Sequence, residues 1–89
     1  MGAEVEAADD APGADAQLEA TQARLLVAEA LGAIELDRRA VFVMHDLEEH
    51  SMPEIALALD IKLNTAYSRL RLAREGFTKA VRRHRPEGA

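Results

Sequence analysis

Residues 51–83 read SMPEIALALDIKLNTAYSRLRLAREGFTKAVRR, and this stretch decides the fold. It opens on Ser51-Met52-Pro53-Glu54, an S-x-x-E capping box. In such a box the serine hydroxyl accepts the glutamate amide and the glutamate carboxylate accepts the serine amide, so two orphan donors at the helix start are satisfied. Proline is tolerated in the first turn, where its missing N–H has no partner to lose. Ile55, Ala56 and Leu59 supply the buried face of a short helix that ends near Leu59. Asp60-Ile61-Lys62-Leu63 then turns the chain. Aspartate enters left-handed backbone more readily than most non-glycine residues, and Ile61 is placed to plug the core beneath the bend. A longer helix follows from about Asn64 to Arg83. Its apolar residues Ala66, Leu70, Ala73, Phe77, Ala80 and Val81 recur at i, i+4, i+7, i+11, i+14 and i+15, one sustained stripe. Pro86 and Gly88 mark its end. A short capped helix, a tight bend and a longer helix make the helix-turn-helix plan, with small Ala56 where the two helices cross closely.

Two more helices precede this pair. Residues 38–49 carry a stripe of Ala40, Val43, Met44 and Leu47, with Val41 and Phe42 beside it and Asp37 as N-cap. Residues 17–35 place Ala23, Leu26, Val27, Ala30, Leu31 and Ile34 at i, i+3, i+4, i+7, i+8 and i+11. Gly32 weakens the last turn, and Leu18 and Leu25 lie off the stripe, where they suit a second contact. No segment alternates with period two, so no strand is predicted. Residues 1–16, MGAEVEAADDAPGADA, have no period and too little apolar matter to offset their ordering entropy. The expectation is a disordered acidic linker over 1–16 and an all-α domain over 17–85, a small three-to-four-helix unit with a C-terminal helix-turn-helix.

Composition narrows the function. Eighty-nine residues make one small domain. The absence of cysteine excludes disulfide frameworks and thiolate zinc sites. No apolar run nears the ~20 residues that span a bilayer, and no signal peptide opens the chain, which suits a cytoplasmic module with no membrane partner. There is no glycine-rich phosphate loop and no legible nucleophile–base pair. No catalytic residue, cofactor or small-molecule substrate is therefore expected. His45-Asp46-Leu47-Glu48-Glu49-His50 invites a metal reading, but it has one residue too many for the H-x-x-E-H motif. His45 and His50 point ~140° apart on a helix. His45 and Glu49 share a face, but two ligands are not a site, so no metal is expected and these residues read as solvent-facing. His84 falls in a basic tail, Arg82-Arg83-His84-Arg85, read as a solvated terminus.

The net charge of −5 conceals a division. Residues 1–50 hold three basic side chains (Arg24, Arg38, Arg39) against twelve acidic ones, a balance of −9. Residues 51–89 hold eight basic against four acidic, a balance of +4. A cationic half on an anionic chain points to a polyanion for that half, or to an acidic tail beside an ordinary basic surface. Around the last helix, at ~100° per residue, the face opposite Ala66, Leu70 and Ala73 shows Asn64, Ser68, Arg71, Leu72 and Glu75. Thr65, Tyr67, Arg69 and Arg74 flank it. Such a face can read base edges in a major groove, with arginine on guanine and an apolar contact to a thymine methyl. Arg69, Arg74 and Lys79 are placed to hold phosphates. The same pattern also describes a solvated amphipathic helix in a bundle, and periodicity and charge do not separate the two.

Residues 45–75, HDLEEHSMPEIALALDIKLNTAYSRLRLARE, resemble region 4 of bacterial extracytoplasmic-function sigma factors. The matching elements are Arg39-Ala40-Val41-Phe42, Ser51, Glu54-Ile55-Ala56, Leu59, Ile61, Thr65, Ser68-Arg69-Leu70 and Ala73-Arg74, and the likeness covers roughly residues 20–80. The resemblance implies a compact four-helix domain that binds the −35 element of double-stranded promoter DNA through its last helix. It also implies docking on the flap of the RNA polymerase β subunit and capture by an anti-sigma factor. Ser68, Arg71 and Leu72 match the base-proximal positions, and Asn64 and Thr65 match the helix start that meets the DNA backbone. Lys62, Tyr67, Arg69 and Arg74 complete the expected DNA-binding set. Four positions depart from the family pattern: Asp60 for a frequent glycine, Lys62 for a proline or capping serine, Ala66 for valine, and Tyr67 for a basic or polar residue. The smaller Ala66 removes buried methyls, and Lys62 exchanges a cap for a cation near the DNA. The family's region 2, which binds the −10 element, has no counterpart here, so the chain reads as a fragment of a longer sigma factor or a stand-alone domain. Two rival readings share these residues. One is another helix-turn-helix regulator, dimeric on DNA half-sites; the other is a sigma-like module that binds polymerase or an anti-sigma factor and no DNA.

Overall fold

The computed structural model describes residues 13–84. Among them the chain is all-α: α1 (Ala14–Gly32), α2 (Leu36–Phe42), a π-helical turn (Val43–Leu47) that continues α2, α3 (Met52–Leu59) and α4 (Leu63–His84). The four-helix expectation and the absence of strands hold. Residues 1–12 of the expected linker lie outside the described residues, as do Arg85, Pro86 and Gly88. Residues 14–16, read from sequence as linker, are instead the first turn of α1.

Helix α4 is the spine against which α1, α2 and α3 pack. Its stripe behaves as the spacing predicts: Ala66, Leu70, Ala73 and Ala80 are buried and Phe77 and Val81 half-buried. Three alanines on that stripe let the neighbouring helices approach closely. Ile55 and Val41 fill the centre as the largest fully buried side chains, with Phe42, Met52, Ala56 and Ile34 around them. Phe42 stacks on Phe77 with ring centroids 5.1 Å apart and planes tilted by 32°, a favourable offset geometry for an aromatic pair.

The bend at Asp60 forms as its chemistry suggests. Asp60 is left-handed, at φ 56° and ψ 50°. The Ile61 amide donates to the Ala56 carbonyl at 2.9 Å and the Asp60 amide to the Leu57 carbonyl at 3.2 Å. This is the Schellman closure of a helix, including the apolar contact of the residue after the left-handed one. Ile61 is half-buried against the core. At the other end of α3 the capping box is complete: the Glu54 amide donates to Ser51 Oγ at 3.2 Å and the Ser51 amide to Glu54 Oε1 at 2.9 Å. The same amide holds the Glu54 carboxyl below the usual carboxylate range.

Three details differ from the sequence reading. Helix α2 starts at Leu36 with Glu35 as N-cap and no side-chain cap bond, so Asp37 is in the first turn rather than at its cap. There its carboxylate still favours the helix dipole. Next, Val43–Leu47 winds as π-helix, with the Glu48 amide on the Val43 carbonyl at 2.9 Å. Val41 and Phe42, beside the predicted stripe, are buried in the regular helix, while Leu47 at the end of the wider turn is 53% exposed. The chain then leaves through Glu49, also left-handed at φ 64°. Finally, only the last turns of α1 find a partner. Ala30 is buried and Leu26 and Leu31 half-buried, but Ala23 and Val27 are exposed. Ile34 is buried beyond the helix end, where Arg39 Nη2 donates to its carbonyl at 3.1 Å. Leu18 and Leu25, off the stripe, are more than half exposed.

Candidate nucleic-acid interface

The exposed side of α4 is a ridge between two hollows. Asn64, Ser68, Arg71 and Glu75 are all exposed along it. This is the face opposite Ala66, Leu70 and Ala73. Arg71 Nη1 donates to Glu75 Oε2 at 3.3 Å, an i, i+4 pair whose side chains are both open to water, and weak for that reason. Ser68 lines both hollows, so it marks the crest.

The flanks divide by angle around the helix. Tyr67 and Arg74 turn toward α3 and the π-helical turn, where they line one hollow with His45, Met52 and Arg71. Thr65, Arg69 and Leu72 turn the other way and line a second hollow with Glu35, Asp37 and Arg38 at the start of α2. Helical angle alone puts Leu72 on the outer face; it is half-buried on this second flank, as are Thr65 and Arg69. Lys62, whose carbonyl accepts the Ala66 amide at 3.0 Å, is exposed at the helix start.

Arg74 is engaged within the protein. Its Nε donates to Asp46 Oδ2 at 2.8 Å and its Nη2 to Asp46 Oδ1 at 2.7 Å, a bidentate fork across 28 residues of sequence. His45 Nδ1 bonds Asp46 Oδ1 at 2.7 Å. The Arg74 guanidinium is the main reason the Asp46 carboxyl is held at about 2, and Asp46 in turn raises Arg74. His45 and Asp46 are therefore half-buried partners of α4, not the solvent-facing residues that their spacing suggests. Glu48 pairs with His50 at 3.5 Å. Glu49, left-handed beyond the π-helical turn, does not share a helix face with His45. Helical spacing carries no sign of the Asp46–Arg74 fork, because the π-helical turn and the two left-handed residues decide which side of α2 meets α4. Sequence reasoning misses Glu35, Asp37 and Arg38 at the second hollow for the same reason: only the packing of α2 on α4 brings them there.

A short helix, a left-handed bend and a longer helix with an exposed polar ridge define a helix-turn-helix module of the DNA-binding kind. Residues 24–75 match the family described as Sigma-70, region 4. The chain belongs to that family. It is thus a sigma-factor module of promoter recognition, in a family of DNA-binding regulatory domains whose general partners are promoter DNA and RNA polymerase. No curated protein matches the chain. No solved structure matches it either. Among the described residues no helix is long and apolar enough to cross a membrane.

Proposed function

We propose that this module reads the −35 element of promoters for a sigma factor of the extracytoplasmic-function type, with the ridge of α4 in the major groove. The observation that carries the reading is the exposure of Asn64, Ser68 and Arg71 along one face whose reverse is packed by Ala66, Leu70 and Ala73. Arg71 is the base-reading side chain, because its bond to Glu75 is solvent-exposed and readily exchanged for a guanine edge. Ser68 on the crest and Leu72 beside it make the shorter contacts. Asn64 and Thr65 meet the backbone at the helix start, while Lys62 and Arg69 neutralise phosphates and Tyr67 packs alongside. The module binds as one copy and performs no catalysis.

The exposed apolar surface of α1 supports a protein partner in addition. Leu18, Leu25 and Val27 lie open on a helix whose first half packs against nothing among the described residues. Docking on the polymerase β flap, or on an anti-sigma factor, accounts for that surface. A protein module of this kind would gain its cellular affinity from tethering, since isolated binding by an anionic chain is weak and steeply salt-dependent.

The test is anisotropy at low salt with a duplex enriched by repeated selection from a randomised pool. Arg71→Ala should weaken that complex by ~1–3 kcal/mol, about five- to 150-fold, and relax the preference at one base pair. An unchanged affinity, or no sequence enriched at all, would favour the interaction module that binds polymerase or an anti-sigma factor without DNA. Sedimentation showing two copies per duplex would favour a dimeric helix-turn-helix regulator.

A further inference from the structure

We propose that Arg74 is a positioning residue that Asp46 holds in place, and that it adds no net charge for phosphates to neutralise. The inference rests on the DNA-binding reading above for one of its two readouts and is independent of it for the other. Three observations carry it. The fork between Asp46 and Arg74 uses both carboxylate oxygens and two guanidinium nitrogens at 2.7–2.8 Å. Bidentate geometry of this kind is the strong form of a charged hydrogen bond. It is the tightest ion pair that joins α4 to another element among the described residues; the other, His84 to Glu29, spans 3.8 Å. The Asp46 side chain is only 23% exposed, so its charge is compensated by Arg74 rather than by water.

A phosphate approaching this flank of α4 meets a neutral pair. Counterion release follows the number of phosphates that a protein neutralises, and a cation already matched by a carboxylate contributes little to that number. The pair has a mechanical role instead. The π-helical turn is wider than an α-turn, and the chain leaves it through left-handed Glu49. Asp46 on that turn, tied to Arg74 on α4, fixes the wall of the hollow that His45 and Tyr67 share with Arg71. Arg69, on the opposite flank, makes no ion pair among the described residues, and it keeps its full charge for DNA.

The experiment measures how binding to random-sequence duplex DNA depends on salt, and the thermal midpoint, for the full chain and its Arg74→Gln, Asp46→Asn, double and Arg69→Gln variants. Arg69→Gln should reduce the slope of log K against log salt by about 0.9. Arg74→Gln leaves the Asp46 carboxylate unmatched beside the duplex, so it should make the slope shallower, weaken affinity several-fold at low salt and lower the midpoint. Asp46→Asn should lower the midpoint likewise and steepen the slope by about 0.9, because it releases an unmatched cation. The double variant should keep the parent slope, because it removes both charges of the pair, and should melt no lower than either single one, as expected of groups that act as a unit. A slope that falls by about 0.9 in the double variant would make Arg74 a phosphate ligand and overturn the proposal. So would single-variant midpoints that match the parent chain, or losses that add fully in the double variant. If Arg69→Gln also leaves the slope unchanged, the DNA interface itself is misplaced, and the midpoint cycle alone still decides the role of Arg74.

Discussion

Acidification should remove the stabilisation that the Asp46–Arg74 pair gives the fold. The Asp46 carboxyl is lowered from 3.8 to about 2, first by the hydrogen bonds from Arg74 and then, against partial desolvation, by His45. A depressed carboxyl stabilises the folded state above its unfolded pKa and loses that contribution as the pH falls through the folded value. A tenfold change in proton affinity is equivalent to about 1.4 kcal/mol, which sets a ceiling of roughly 2 kcal/mol for the fall of the Asp46 pKa on folding. Arg74 is half exposed, 52% for its side chain, and water screens such a partner, so about 1 kcal/mol is the expected size. Urea unfolding of the parent chain and of Asp46→Asn, followed by helical circular dichroism between about pH 6 and pH 2, isolates the site. Glu54 and every other carboxylate titrate in both proteins and cancel in the difference. The gap between the two should be about 1 kcal/mol near pH 6, should begin to close below about pH 4 and should be nearly gone at about pH 2. A gap that stays constant over that range would refute the reasoning, because it would mean that the charge on Asp46 is not what holds Arg74.

Other substitutions test the remaining structural claims. Glu49→Gly should raise stability by about 0.5–1 kcal/mol, since an L-residue in left-handed backbone costs ~1–2 kcal/mol and part of the gain is lost to unfolded-chain entropy; Asp60→Gly should gain less, because aspartate tolerates φ 56° better, and thermal melts rank the two. Ile55→Ala empties the centre of a fully buried position and should cost ~2–5 kcal/mol in urea titrations. Gly76→Ala should stabilise α4 by about 0.5–1 kcal/mol, because the added methyl meets only Ile34 Cγ1 at an ordinary 3.8 Å. The pair Glu35→Gln and Asp37→Asn removes two carboxylates from the hollow beside Thr65 and Leu72 and should tighten DNA binding several-fold at low salt and little at high salt; equal affinities at low salt would place that hollow away from the duplex.

The helix-turn-helix is legible in the sequence because each of its parts has a local cause. Ser51 and Glu54 are three residues apart and satisfy each other's amides. Asp60 supplies the left-handed residue, and the stripe from Ala66 to Ala80 needs only the helical period. What stays hidden depends on a partner or on an irregular turn. The stripe of α1 is periodic from Ala23 to Ile34, yet only its last turns meet α4, and no residue within α1 encodes where that contact stops. The stripe of α2 assumes an ideal helix to its end; the π-helical turn at Val43–Leu47 departs from that period and Leu47 lies exposed, while Val41 and Phe42 beside the stripe are the residues buried. Of the candidate DNA-binding residues, the crest follows from angle alone, and Asn64, Ser68 and Arg71 are exposed there. Leu72 and Arg74 do not, since their surroundings are Glu35 and Asp37 in one case and Asp46 in the other.

The two ends of α3 explain why the module can present one face of α4 with precision and still leave α1 open. α3 lies between two left-handed residues, Glu49 and Asp60, so its direction is set by two sharp hinges with no slack turns between them. Each hinge is closed by backbone bonds: the His50 amide on the Met44 carbonyl at 2.9 Å before α3, and the Ile61 amide on the Ala56 carbonyl at 2.9 Å after it. The capping box fixes the start of the helix, Ile55 anchors its middle, and the Asp46–Arg74 fork ties the preceding turn directly to α4. Several separate constraints therefore act on the angle between α3 and α4, and losing any one leaves the others in place. The first half of α1 has none. A helix of that length is marginal in water without a packed face, and its exposed leucines offer such a face. The part of the chain under these constraints is the part that carries the polar ridge of α4, and the unsupported part is the one that a protein partner would stabilise by covering it.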